Sequence, residues 1–220
     1  MNNNPSIAVL NLYYPASGNF DEVVRTRRQA TVVRRALGLS AGEILRRGSG
    51  SAALSSIIWE CDFEDSDAHD QDMGERAASP DFEAVRARMG TLLDRFERTE
   101  WSVVHTDPDG FHRFAAGSVR VFNAYFPLEG NLEAVVAQRI RACNVRQEHG
   151  FSAGRVLRRL SPTTDSAADL PHVLWQLDYP SLADRASDVQ ALEAVEPFRA
   201  VRETMRQLLR RFQRGAWQLD

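Results

Sequence analysis

Asn11 and Tyr13 stand two residues apart in the phrase IAVLNLYYPASGNFDEVV, and the pair returns 112 residues later as Asn123 and Tyr125 in VRVFNAYFPLEGNLEAVV. An asparagine amide offers two N–H donors and a tyrosine hydroxyl offers one. Residues two apart on a strand share a face. Such a pair could hold the oxygen of a carbonyl, a phenolate or a peroxide and stabilise charge developing there. The competing reading is structural: an asparagine fixing backbone pairing beside a tyrosine packed as an aromatic. Trp59 and Trp175, also repeated, add flat apolar surfaces suited to an aromatic ligand. A tryptophan would position such a ligand and exclude water rather than move a proton.

Acid/base chemistry near neutrality points to histidine. His149 and His172 stand where the first copy has Leu37 and Ser56, so they could serve one half only. Asn123, Tyr125, His149 and His172 are therefore the candidate catalytic set, and Asn11, Tyr13, Trp59 and Trp175 the candidate substrate-binding set. His69 sits in DSDAHDQDMGE, a solvated loop or a helix start without metal-ligand spacing. His105 and His112 flank the linker between the copies and could border a pocket mouth. No metal site is expected, and no dinucleotide, phosphate-loop or nucleophile-elbow motif occurs. Arg27 lies on a helical stripe and Asp62 has the opposite strand parity to Trp59. An Arg27–Asp62 ion pair, mirrored by Arg139–Asp178, is expected to fix helix against sheet.

These residues fall into elements that the chain writes twice. From 7–47 the match to 119–159 holds an offset of 112, and after a four-residue insertion it holds an offset of 116, so that WECD matches WQLD. FEAVRARMGTLLDRFERTEW then matches FRAVRETMRQLLRRFQRGAW. Apolar and aromatic residues over 7–14 predict a strand, and helical spacing over 19–37 predicts a helix stopped by Gly38. Short strands are expected over 42–47 and 56–63. Phe82, Val85, Met89, Leu92, Leu93 and Phe96 predict a second helix, with a fourth strand starting at Trp101 and, in the second copy, at Trp217. The order β-α-β-β-α-β is the ferredoxin-like motif. Residues 1–107 form one repeat, 108–117 a linker and 118–220 the second repeat. An antiparallel sheet with helices on one face leaves its other face to be covered. The two copies can cover each other, giving an α+β fold in which tandem repeats form an intramolecular, pseudo-dimeric barrel. In the first strand Ala8, Leu10, Leu12 and Tyr14 are expected to face the helices, and Val9, Asn11 and Tyr13 an enclosed pocket.

The chain has 220 residues, 43% hydrophobic and 26% charged, with a net charge of −3. That balance does not favour a nucleic-acid backbone or an acidic membrane surface as partner. No apolar run approaches the length of a membrane span, and the polar residues 1–5 do not resemble a signal peptide. Cys61 and Cys143 occupy non-corresponding places in the two copies, so a disulfide framework is not expected and a cytoplasmic location is.

With Asn11 on the first strand, Trp59 on the third and SPDFEAV entering the second helix, and with Asn123, Trp175 and the Phe198 helix in the second copy, the sequence resembles the dimeric α+β barrel superfamily. More narrowly it resembles antibiotic-biosynthesis monooxygenases and haem-degrading monooxygenases in a fused, two-copy form. The resemblance implies a cavity lined by the asparagine and tryptophan and an apolar, aromatic or polyketide-derived substrate. The implied chemistry is cofactor-independent oxygenation, or a cyclisation or isomerisation. A haem-binding alternative, which in the resembling proteins uses a histidine of the second helix, would need an axial ligand from outside that helix, since neither copy has a histidine there. A non-catalytic binding protein and a merely structural duplication are the other readings. A further pairing into a homodimer is compatible with the fold.

Overall fold

The computed structural model describes residues 6–49, 54–107, 111, 113–160 and 170–220. The first repeat runs β1 (Ile7–Pro15), α1 (Phe20–Ala36), β2 (Glu43–Ser49), β3 (Ile57–Phe63), α2 (Ser66–Ala77), α3 (Pro80–Gly90) and β4 (Leu93–His105). The second runs β5 (Val119–Pro127), α4 (Leu132–Glu148), β6 (Arg155–Arg159), β7 (Val173–Tyr179), α5 (Leu182–Glu193), α6 (Glu196–Gln207) and β8 (Leu209–Leu219). Among the described residues no helix is long and apolar enough to cross a membrane.

All eight strands close into one antiparallel barrel in the order β1-β3-β2-β8-β5-β7-β6-β4. The last strand of each repeat joins the halves. β4 pairs with β1 of its own repeat and β6 of the other, and β8 pairs with β5 and with β2. Closure removes every exposed sheet edge, which an isolated four-stranded unit would leave open.

Two features differ from the sequence reading. The polar stretch from Ser66 is a full helix, started by Asp65, whose carboxylate accepts from the Ala68 N–H at 2.9 Å. The next helix is shorter than expected: Ser79 caps it, Pro80 opens it, and it ends at Gly90. Leu93 and Phe96 belong to the strand that follows, as do Leu209 and Phe212 in the second repeat. The helical spacing misled because β4 turns Glu97 and Thr99 inward, which hides its alternation of apolar and polar residues. Both inward groups are satisfied: Tyr14 donates to Glu97 at 3.1 Å, and Trp101 Nε1 donates to Thr99 Oγ1 at 2.8 Å.

The faces of the strands are also reversed. Ala8, Leu10 and Leu12 point into the barrel, with Phe122, Ala124 and Phe126 facing them and Trp101 and Trp217 filling the space between. Val9 and Tyr13, with Val121 and Tyr125 in the second repeat, lie under the helices instead. The all-apolar face lines the inside of the closed barrel, packed against Trp101 and Trp217.

One end of that interior is ionic. Arg120 grips Asp178 with two bonds of 2.6 and 2.8 Å and donates to Glu60 at 2.9 Å and to Glu43 at 2.7 Å. Arg155 pairs with Glu60, with Asp62 at 2.7 Å and with the Gln176 carbonyl at 2.6 Å. Phe111 covers both guanidinium groups, 4.5 Å from Arg155 and 5.0 Å from Arg120. This network replaces the two ion pairs expected from sequence. Asp62 and Asp178 share strand parity with Ile58 and Leu174, so they point into the barrel and away from Arg27 and Arg139 on the helices.

Candidate functional site

The paired strands place the repeated residues in rows. Asn11 lies opposite Trp59 on one side and Arg98 on the other, and Asn123 lies opposite Trp175 and Arg214. Arg98 Nε donates to Asn11 Oδ1 at 3.0 Å, and Arg214 Nε donates to Asn123 Oδ1 at 2.8 Å. A guanidinium only donates, so the atom it meets must be the amide oxygen. The amide NH2 is thereby turned the other way, toward the tyrosine hydroxyl two residues on, at 3.4 Å in the first repeat and 3.5 Å in the second.

Each tryptophan is held just as firmly. Trp59 Nε1 donates to the Ala41 carbonyl at 2.9 Å and Trp175 Nε1 to the Ala153 carbonyl at 2.7 Å. The indole N–H is used up, and both rings are almost fully buried. Glycine makes this fit possible: Gly154 has φ +70°, and a Cβ there would lie 2.9 Å from Trp175 Nε1. On the helix side, Arg27 stacks over Trp59 at 4.7 Å and Arg139 over Trp175 at 4.6 Å.

Up to this point the repeats match; the helices above them do not. In the second repeat a cavity of about 540 Å³ opens between the sheet and α4, α5 and α6. Its floor carries Asn123, Tyr125 and Trp175, and its apolar walls include Leu192, Phe198 and Met205. That volume falls within the range of small-molecule sites. In the first repeat two positions of the same layer hold larger groups. Arg76 stands where the second has Leu192, donates to Asp72 at 2.7 Å and stacks on Phe82 at 5.3 Å. Met73 stands at the place of Val189 and meets both Arg76 and Arg98. His69, at the place of Arg185, packs against Phe63 at 5.0 Å. Asn11, Tyr13 and Trp59 therefore have no part in the second-repeat cavity.

Two residues missed in the sequence join it. Asp188 receives Arg146 Nη2 at 2.9 Å and the Tyr179 hydroxyl at 2.8 Å, and all three line the cavity. Burial first, then the Asp188 charge against the opposing pull of Arg146, raises the Tyr179 pKa, so its phenol stays protonated. Tyr179 replaces Phe63 of the first repeat. That single gained hydroxyl was the available signal.

The two histidines proposed as acid/base groups lie elsewhere. His149 ends α4, with Nδ1 2.9 Å from the Val145 carbonyl. His172 precedes β7 with the parity of Leu174, on the barrel side, and its Nδ1 is buried without a partner. Burial, then Arg159 and Arg210, lowers the His172 pKa. An imidazole whose folded pKa is lowered leaves stability complete above the unfolded value of about 6.5 and loses it as pH falls below that. His172→Gln is expected to flatten the decline of the melting temperature between pH 7 and pH 5. An equally steep decline in the variant would show that His172 does not titrate this way. His112 lies outside the described residues. Cys61 and Cys143 are buried and free. Among the described residues no cluster of three or more His, Cys, Asp or Glu could hold a metal ion.

No protein-family model matches the chain, and no curated protein matches it in sequence. Solved structures do match over nearly its whole length. An anthrone oxidase-like protein superposes with a TM-score of 0.66 at 14% identity, covering 99% of this chain and 92% of its own. A provisionally assigned monooxygenase of Fusobacterium nucleatum subsp. nucleatum gives 0.65 at 11%, covering 98% and 93%. A mutant chlorite dismutase of Candidatus Nitrospira defluvii gives 0.51 at 13%, covering 96% and 90%. At these identities the likeness is one of fold: this chain shares the closed eight-stranded α+β barrel of these proteins, built here from two ferredoxin-like repeats.

Proposed function

We propose that the second repeat binds an apolar polycyclic aromatic molecule and oxidises it with molecular oxygen without a bound cofactor. The observation that carries this reading is the cavity that sets Asn123, Tyr125 and Trp175 on one floor beneath α4, α5 and α6. The fold likeness to an anthrone oxidase-like protein and to a provisionally assigned monooxygenase supports the choice of reaction class.

In this reading the flat ring system lies against Leu192, Phe198 and Met205, above the floor that Trp175 completes. Its carbonyl oxygen meets the Asn123 amide, held ready by Arg214, and the Tyr125 hydroxyl. When a proton leaves the activated ring carbon, negative charge moves onto that oxygen, where fixed donors stabilise it. Asp188 is the inner carboxylate of the cavity and the group placed to accept the proton. The carbanion then meets O2. The ring methylene loses two hydrogens and gains one oxygen atom, and the second oxygen atom leaves as water. A cyclisation or isomerisation through an enolate would use the same donors. Haem ligated by histidine does not fit, because no histidine lines the cavity.

Anthrone in an oxygen electrode tests the reaction. The expected result is catalytic uptake of one O2 per anthrone consumed, above the rate without protein. Tight binding of anthrone with no acceleration would leave a carrier or sensor and remove the oxygenase.

A further inference from the structure

The wall of the second-repeat cavity is strongly cationic. Eight of its lining residues are arginines and two, Asp188 and Glu193, are acids. At the eight matching positions the first repeat has five arginines, because His69, Gly90 and Asp94 stand where the second has Arg185, Arg206 and Arg210. The excess charge thus belongs to the repeat with the open cavity.

Several of these cations are already matched: Arg146 with Asp188, Arg202 with Glu193 and Arg206 with Glu203. Arg139 and Arg185 are not. Arg139 is 5% exposed, and its Nε has no partner. Its Nη2 reaches the Cys143 sulfur at 3.5 Å, its other neighbour is the neutral Tyr125 hydroxyl, and its flat face lies on Trp175, so no acid among the described residues balances it. Arg185, half-buried on α5, has no side-chain partner among the described residues. A buried charge without a counter-ion is costly. A guanidinium fork matches a planar carboxylate with two parallel bonds. The remaining wall is apolar, so a small hydrated anion would gain little from it.

We infer that the ligand of this cavity is an aromatic carboxylate, its ring against the apolar wall of Leu192, Phe198 and Met205 and its carboxylate received by the guanidinium groups of Arg139 and Arg185, which have no acidic partner among the described residues. The inference rests on the cavity being the ligand site, as proposed above, and adds the charge of the ligand. Arg139 and Arg185 act here as binding residues that fix which end of the ring system reaches Asn123.

Two fluorescent probes with one ring system separate charge from shape: anthracene-9-carboxylate and the uncharged 9-(hydroxymethyl)anthracene. Both are titrated into the whole protein at low salt. The carboxylate is expected to bind at least about tenfold more tightly, the size of effect a charged hydrogen bond gives. Arg139→Gln and Arg185→Gln should each erase most of that preference, read as the ratio of the two affinities within the same variant. Arg185→Gln decides the matter if the buried Arg139 variant does not fold. Val189→Phe, which fills the cavity at the position of the larger Met73, should abolish binding of both probes. Equal binding of both probes, lost in Val189→Phe but untouched by the arginine variants, would overturn the charge inference and keep the cavity. No binding that Val189→Phe removes would overturn the cavity reading and the inference with it.

Discussion

Glu60→Gln is expected to lower stability by about 3–5 kcal/mol, the cost of breaking a buried ion network on one side. Glu60 belongs to the first repeat, yet its carboxylate is enclosed by Arg120, Arg155 and Gln176 of the second. Both arginines and Glu60 itself are fully buried. Losing the carboxylate charge leaves two guanidinium groups in the barrel with less compensation and no route to water. For a chain of this size that loss is a fall in melting temperature of about 6–20 °C. A thermal melt reads it directly. A fall of under about 3 °C would mean that the network is not a principal bond between the halves. A surface pair such as Arg86–Glu83 is the natural control, because exposed pairs contribute little.

The second large effect concerns the two asparagines. Asn123→Ala is expected to slow anthrone oxidation by about 10²–10³-fold, the usual cost of removing one donor to a developing oxyanion. Asn11→Ala should leave the rate unchanged. The two residues have the same strand position, the same arginine partner and the same tyrosine neighbour. They differ in what lies above them: open space in the second repeat, and Arg76 with Met73 in the first. Rates measured for both variants alongside the wild type therefore separate position from access. Equal losses in the two variants would make the asparagine a structural residue, and equal indifference would remove it from catalysis.

The duplication made the fold readable. Two matched phrases fix the element order, and an open sheet face on each copy calls for the other. What stayed hidden has physical causes. The strand faces were assigned by apolarity alone, which does not say whether an apolar face meets the helices or the inside of a closed barrel. Leu10 and Phe122 went inward, and the polar row of Asn123 went outward. β4 and β8 were read late because their inner faces carry Glu97, Thr99 and Gln213 in place of apolar residues. The expected Arg27–Asp62 pair failed for the same reason as the faces: Asp62 has the parity of Ile58 and points into the barrel, while Arg27 spreads over Trp59.

The candidate site was legible in part. Asn123, Tyr125 and Trp175 came from repetition and strand parity, and the structure brings them together at the cavity. Asp188 and Arg185 were not legible, since half of the apolar residues of α5 are alanines, Ala183, Ala186 and Ala191, which mark no helix face as larger side chains would. The histidines drew attention as departures between copies. The departures that open the cavity were quieter ones, Arg76 to Leu192 and Met73 to Val189.

The most direct measurement is a crystal structure of the protein with 9-(hydroxymethyl)anthracene bound. The expected result is ring density in the second-repeat cavity, beneath α5 and α6 and within reach of the Asn123 amide, and none beside Trp59. Density inside the barrel among Leu10, Phe122 and Trp217, or equal occupancy beside both tryptophans, would contradict a single working cavity on the helix side of the second repeat.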